Sequence, residues 1–163
     1  MNPSLQKYSA EMIGTGVLTL MVLVSLTAAL PLTTPVVAGL TLAFFVYTIG
    51  AISGSHINPA VTLGLWSLKK ITLNDAAGYI VAQMLGAFIA MSLFGAVFGS
   101  LPGVNAASTT STMLGEALGA AVLLFGISAV VHGKVSDGAS GVVIGGGLLL
   151  GILSALPLSN GVL

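Results

Sequence analysis

The sequence predicts an all-α membrane protein, an inverted-repeat bundle of spanning helices with one segment that enters and leaves the bilayer on the same side. Three observations carry that reading. The 163 residues are 56% hydrophobic and only 5% charged, with a mean hydropathy of +1.11, far outside the range of soluble globular domains. Five stretches approach the about 20 largely apolar residues that a membrane span needs. A short pattern also recurs in the two halves of the chain at nearly the same spacing.

The first span is expected over about 8 to 30. It is too long for the apolar core of a signal peptide, lacks a small-residue cleavage site and carries Glu11 inside the run. The next spans are expected over about 36 to 52, 75 to 98, 112 to 131 and 139 to 157. Between them lie segment 53 to 72, the Gly/Ser/Thr-rich stretch Gly99 to Ser111 and the polar turn His132 to Gly138. No separate soluble domain fits, so residues 1–163 are read as one transmembrane domain.

Charge narrows the partners. Net charge is zero with four Lys or Arg in total, so nothing could follow a nucleic-acid backbone. With no Cys in the chain, disulfides and thiolate metal sites are excluded. No metal, cofactor or catalytic group is called for. Cation-bearing loops tend to stay cytoplasmic, and an inside N-terminus places Lys7, Lys69, Lys70 and Lys134 all on that side.

That parity works only if segment 53 to 72 is re-entrant. Its sequence supports this. Ser53 to Ile57 suits a helix poorly, whereas Asn58-Pro59 combines a favoured N-cap with a favoured first helical residue. A short helix from about Pro59 to Leu68 should follow. Non-helical backbone at membrane depth is tolerated only where it is buried in protein or lines a watery cavity, so a pore or binding site is implied.

The repeat makes the topology inverted. Glu11-Met12-Ile13-Gly14 matches Glu116-Ala117-Leu118-Gly119, and Ser53 to Ile57 matches Ser159 to Leu163 at the same spacing to within one residue. The first unit covers about 1 to 105 and the second about 106 to 163. Three spans per unit turn the second copy upside down, and sites in such proteins lie at the midplane between the halves.

Ser53-Gly54-Ser55-His56-Ile57-Asn58-Pro59-Ala60-Val61-Thr62, with a Glu in each first helix and Gln83 within Ala82 to Ala87, resembles the first signature loop of the aquaporin and glycerol-facilitator family. The resemblance covers essentially the whole chain. It implies six helices plus two half-helices meeting at their Asn-Pro-Ala starts, assembled as a homotetramer in a plasma (inner) membrane. It implies a passive pore for water and small neutral solutes such as glycerol, in which no covalent bond is made or broken. Asn58 would donate its amide to the solute, the carbonyls of Gly54, Ser55, His56 and Ile57 would form an acceptor ladder, Pro59 and Ala60 would open the half-helix, and Glu11 and Glu116 would brace the two loops. Facing half-helix N-termini repel cations, so ions and protons are expected to be excluded.

The narrow filter of the family falls on Ala38, Ile152 and Gly161. Many members carry a large aromatic at the first of these, and His or Gly at the second. Small or apolar residues here imply a wide constriction, permissive toward small uncharged solutes. The second Asn-Pro-Ala, the fourth filter residue and the sixth helix would lie beyond Leu163, so a longer chain is expected, and residues 1–163 alone are not expected to form a selective pore.

Other features have plainer readings. Gly115 and Gly119, like Gly147 and Gly151, sit four apart, which suits close helix crossing. Trp66 and Lys69-Lys70 read as interface anchors. His132 reads as part of a solvated turn, with pH sensing as its functional alternative. Two rival functions are an intramembrane serine protease using Ser140 of Gly138-Ala139-Ser140-Gly141, which needs a histidine partner, and a coupled transporter using Glu11 and Glu116.

Overall fold

A computed structural model describes residues 2–102 and 109–159. Every element among the described residues is helical: α1 (Pro3–Thr27), α2 (Thr34–Ser53), the short α3 (Pro59–Ser67), α4 (Leu73–Phe98), α5 (Thr110–Val131), a 3-10 turn (Asp137–Ala139) and α6 (Ser140–Ser159). Five of these are long and apolar enough to cross a membrane, and α3 is the half-helix.

The helix starts follow from capping chemistry. Asn2 accepts a hydrogen bond from the Ser4 N–H at 3.0 Å with Pro3 behind it. α1 thus begins five residues before the expected Tyr8, on the same Asn-Pro signal that opens α3. Thr72 accepts from Asp75 N–H at 3.1 Å, and Thr109 caps α5 through Thr112 N–H at 3.2 Å. Such side-chain acceptors satisfy N–H groups that a helix start leaves unpaired.

The helices pack as a chain of neighbours, α4 on α1, α1 on α2, α2 on α6 and α6 on α5, with α3 touching both α4 and α5. The buried cluster at the centre draws Ala38, Leu42 and Phe45 from α2, Ile57 from the re-entrant loop, Val61 and Leu65 from α3, and residues of α5 and α6. Outward faces are as apolar as the core. Phe125 is 79% exposed and Phe88 63%, surfaces that water would not tolerate and that lipid solvates.

Two crossings bring glycine backbone against backbone carbonyls. At α1–α4, a Cβ on Gly86 would fall on the Met12 carbonyl, and one on Gly16 would lie 3.1 Å from the Gly86 carbonyl. At α2–α6, a Cβ on Gly39 would stand 2.7 Å from the Gly145 carbonyl, and one on Gly145 would fall on the Gly39 carbonyl. Of the glycines expected to mediate crossings, Gly115 meets Leu158 and Ser159, whereas Gly147 has ordinary contacts with Leu123. The backbone approaches at Gly86 and Met12 and at Gly39 and Gly145 involve glycines outside the two pairs spaced four apart.

Candidate pore loop

The re-entrant segment is built outward from the end of α2. Gly54, at φ 88°, takes the left-handed conformation and its N–H closes α2 on the Gly50 carbonyl at 2.9 Å. Ser55 (φ 51°) and Ile57 (φ 37°) are also left-handed. For a β-branched residue this is a costly conformation, and it persists because neighbours hold it.

The principal holder is Glu11, which is fully buried. Its Oε1 accepts from Ser53 Oγ at 2.6 Å and from His56 N–H at 3.0 Å. Its Oε2 accepts from Ile57 N–H at 2.6 Å and from Gln83 Nε2 at 2.8 Å. Four donors fill the acceptor capacity of a carboxylate. Ser55 N–H goes to Ser53 Oγ at 3.1 Å. Every N–H from Gly54 to Ile57 is thus turned into the protein. The carbonyls of Gly54 to Ile57 accept from no donor among the described residues. Backbone groups at this depth need partners, and the described residues supply none to these oxygens.

Gly14, one helical turn from Glu11, completes the brace. A Cβ there would collide with Ile57 Cγ2, so the Glu-x-x-Gly of α1 supplies both the acceptors and the room for the Ile57 side chain. Thr62 ties the loop to α3 and α4. Its Oγ1 accepts from Gln83 Nε2 at 3.0 Å, donates to the Asn58 carbonyl at 3.1 Å and meets His56 Nδ1 at 3.1 Å. Serving two acceptors fixes which end of the Gln83 amide carries nitrogen. The His56 ring stands edge-on to Tyr79 with centroids 5.0 Å apart.

Asn58 has extended backbone (φ −154°), and its Oδ1 accepts from Ala60 N–H at 2.8 Å, which caps α3 at Pro59. Its NH2 makes no hydrogen bond among the described residues and stays available as a donor. Beneath the loop lies a cavity of about 660 Å³, lined by Gly54, His56, Tyr79, Trp66, Asp75 and the lysines Lys7, Lys69 and Lys70 among others.

The segment Gly54 to Ala60 and Glu11 are thus brought together. Ala38 and Ile152, from adjacent helices, lie in the same buried cluster as Ile57. Gly161 lies outside the described residues, as does the segment that Glu116 would brace. Glu116 itself is half-buried on α5 and makes no hydrogen bond among the described residues. The serine-protease arrangement is not formed. Ser140 Oγ donates to the Asp137 carbonyl at 2.8 Å, while His56 engages Thr62 and His132 engages Ser128. Glu11, with four protein donors, has no vacant lone pair for a coupling ion.

Tyr79 had no role in the sequence reading. Its hydroxyl donates to the Ser53 carbonyl at 2.6 Å, at the point where α2 ends. Tyr79→Phe should destabilise the fold by about 1–2 kcal/mol, the usual cost of leaving a buried carbonyl unpaired. Tyr8→Phe, which removes only a 3.5 Å contact with Asp75, should change stability by less than about 0.5 kcal/mol. Thermal unfolding in detergent compares the two, and equal effects would remove Tyr79 from the brace.

Comparison with known proteins places this geometry. The family model described as Major intrinsic protein matches residues 2–162. Aquaporin AqpM of Methanothermobacter thermautotrophicus is 37% identical over 118 residues, 66% of this chain and 48% of that protein. A probable glycerol uptake facilitator protein of Thermotoga maritima is 35% identical over 124 residues, 66% of this chain and 52% of its own length. The chain spans about half the length of these curated relatives. The X-ray structure of the aquaglyceroporin from Plasmodium falciparum superposes with a TM-score of 0.71 at 26% identity, covering 91% of this chain and 72% of that one.

Proposed function

This chain belongs to the major intrinsic protein family, and we propose that its residues supply the first half of a passive channel for water and small uncharged solutes such as glycerol. The observation that carries this reading is the re-entrant segment, whose N–H groups from Gly54 to Ile57 are tied inward while their four carbonyls and the Asn58 NH2 have no partner among the described residues. A solute hydroxyl or water can donate to that ladder and accept from Asn58. Its own hydration is thereby replaced. The N-terminus of α3 adds a partial positive charge there, and together with an opposed second half-helix it would repel cations and protons.

Ala38 and Ile152, small or apolar, support a constriction permissive enough for glycerol. The gathering of Lys7, Lys69 and Lys70 at one cavity supports a cytoplasmic N-terminus in a plasma (inner) membrane. Homotetramer assembly rests on the family resemblance alone.

Stopped-flow light scattering on proteoliposomes tests the proposal, using the chain alone and extended by the C-terminal remainder of the Thermotoga maritima relative. The extended chain should carry both water and glycerol downhill, without accumulation, while the chain alone should be unselective. Asn58→Asp in the extended chain should slow water roughly fivefold or more, since one lost hydrogen-bond donor is worth about 1 kcal/mol, and should raise cation leak. Water flux without glycerol flux would overturn permissiveness. Accumulation against a gradient would overturn the channel.

A further inference from the structure

The cavity below the re-entrant segment gathers three of the chain's four cations against one carboxylate, Asp75. Lys7 Nζ pairs with Asp75 Oδ2 at 3.3 Å, so those two charges cancel. The remaining acids lie elsewhere: Glu11 is buried on four protein donors, Glu116 is on α5, and Asp137 is in the 3-10 turn. None of them lines the cavity. Lys69 and Lys70 keep two positive charges with no carboxylate partner among the described residues.

Lysines at a helix C-terminus often cover its last carbonyls. Here the backbone already does so. The Gly64 carbonyl accepts from Leu68 N–H at 3.2 Å and Ser67 Oγ at 2.7 Å, the Trp66 carbonyl from Lys69 N–H at 2.9 Å, and the Leu65 carbonyl from Lys70 N–H at 2.9 Å. Lys69 adopts φ 57° to make this closure. The two ammonium groups are therefore not consumed by the end of α3.

We propose that this cavity binds a phosphate-bearing anion, held by Lys69 and Lys70 with Lys7 at its rim. Lysine ammonium groups suit phosphate as point-charge donors. The roughly 660 Å³ volume far exceeds the about 30 Å³ of one water, leaving room for an organic group against Trp66 and Tyr79. The phosphate belongs either to a small soluble monoester or to a lipid headgroup reaching in from the interface. Because Gly54 and His56 line the same cavity, an occupant stands in front of the carbonyl ladder and obstructs it. Binding itself does not depend on the channel reading.

Trp66 is the only tryptophan of the chain, so all indole emission reports this cavity. The full chain in neutral maltoside detergent is titrated with inorganic phosphate, ionic strength being held constant with chloride. A saturable change in emission is expected. Lys69→Gln with Lys70→Gln should weaken it at least about tenfold, the scale of losing charge-assisted hydrogen bonds, and Lys69→Arg with Lys70→Arg should retain it. Nanodiscs separate the two sources. A headgroup occupant shifts the starting emission in phosphatidylglycerol discs and suppresses the phosphate response there, whereas a soluble occupant leaves the response intact in both phosphatidylglycerol and phosphatidylcholine. Either result supports the site. A response that never saturates, that chloride reproduces, or that survives unchanged in a double Gln variant still monodisperse on size exclusion overturns it.

Discussion

Replacing Glu11 with alanine is expected to release the re-entrant loop while leaving the spanning helices inserted. The substitution strands the His56 and Ile57 N–H groups and the Ser53 hydroxyl proton, and leaves the Gln83 NH2 with only its bond to Thr62. Each buried donor left unpaired costs about 1–3 kcal/mol. The left-handed Ser55 and Ile57 add strain that nothing then opposes, of order 1–3 kcal/mol each. Together these exceed what one loop can retain, so the segment should rearrange rather than persist with its groups unpaired.

The chain has no cysteine, which makes the rearrangement directly observable. Ser55 is buried, so Ser55→Cys alone should resist a water-soluble thiol reagent. The same cysteine should label readily once Glu11→Ala is added. Glu11→Gln should fall between, because its NH2 would face donors on one side while its oxygen still serves the other. Equal labelling rates with and without Glu11 would mean that the loop holds its shape by packing alone.

The second large effect is expected at Gly86. A methyl group there falls on the Met12 backbone carbonyl, with the Gly16 nitrogen 3.1 Å away. No side chain can rotate to make room, so α1 and α4 must separate. Overpacking of this kind costs about 1–3 kcal/mol, and Gly86→Val should prevent a monodisperse folded product altogether. Gly95→Ala and Gly146→Ala are the controls, since nothing lies within 4 Å of a Cβ at either position. Their melting temperatures should stay at or above that of the parent, helped by alanine's better helix propensity. If Gly86→Ala melts with the controls, the α1–α4 approach is looser than its geometry.

These two predictions differ in how visible they were in the sequence. Glu11 announced itself, because a carboxylate inside an apolar run demands partners. The half-helix was equally plain, since Asn58-Pro59 is a helix start by capping chemistry alone, and α3 runs from Pro59 as that chemistry requires. The same signal at Asn2-Pro3 shows where the reading stopped short: the first span was begun at its apolar run, yet the cap lies earlier.

Gly86 was not legible in this way. Nor were Gly39 and Gly145, the fit of Ile57 against Gly14, the Tyr79 hydroxyl on Ser53, or the meeting of Lys7 with Lys69 and Lys70. In a water-soluble helix an apolar stripe marks the face turned inward. In these helices lipid-facing and protein-facing sides are both apolar, so no stripe exists and the rotation of each helix cannot be read from its residues. Sequence alone determined how many times the chain crosses, where the short helix begins and which carboxylate must be satisfied, because length, capping and buried charge are local requirements. The tertiary structure decided which glycines touch, which tyrosine closes α2 and which lysines share a cavity, because those depend on helix rotation and crossing, set by close packing between neighbours.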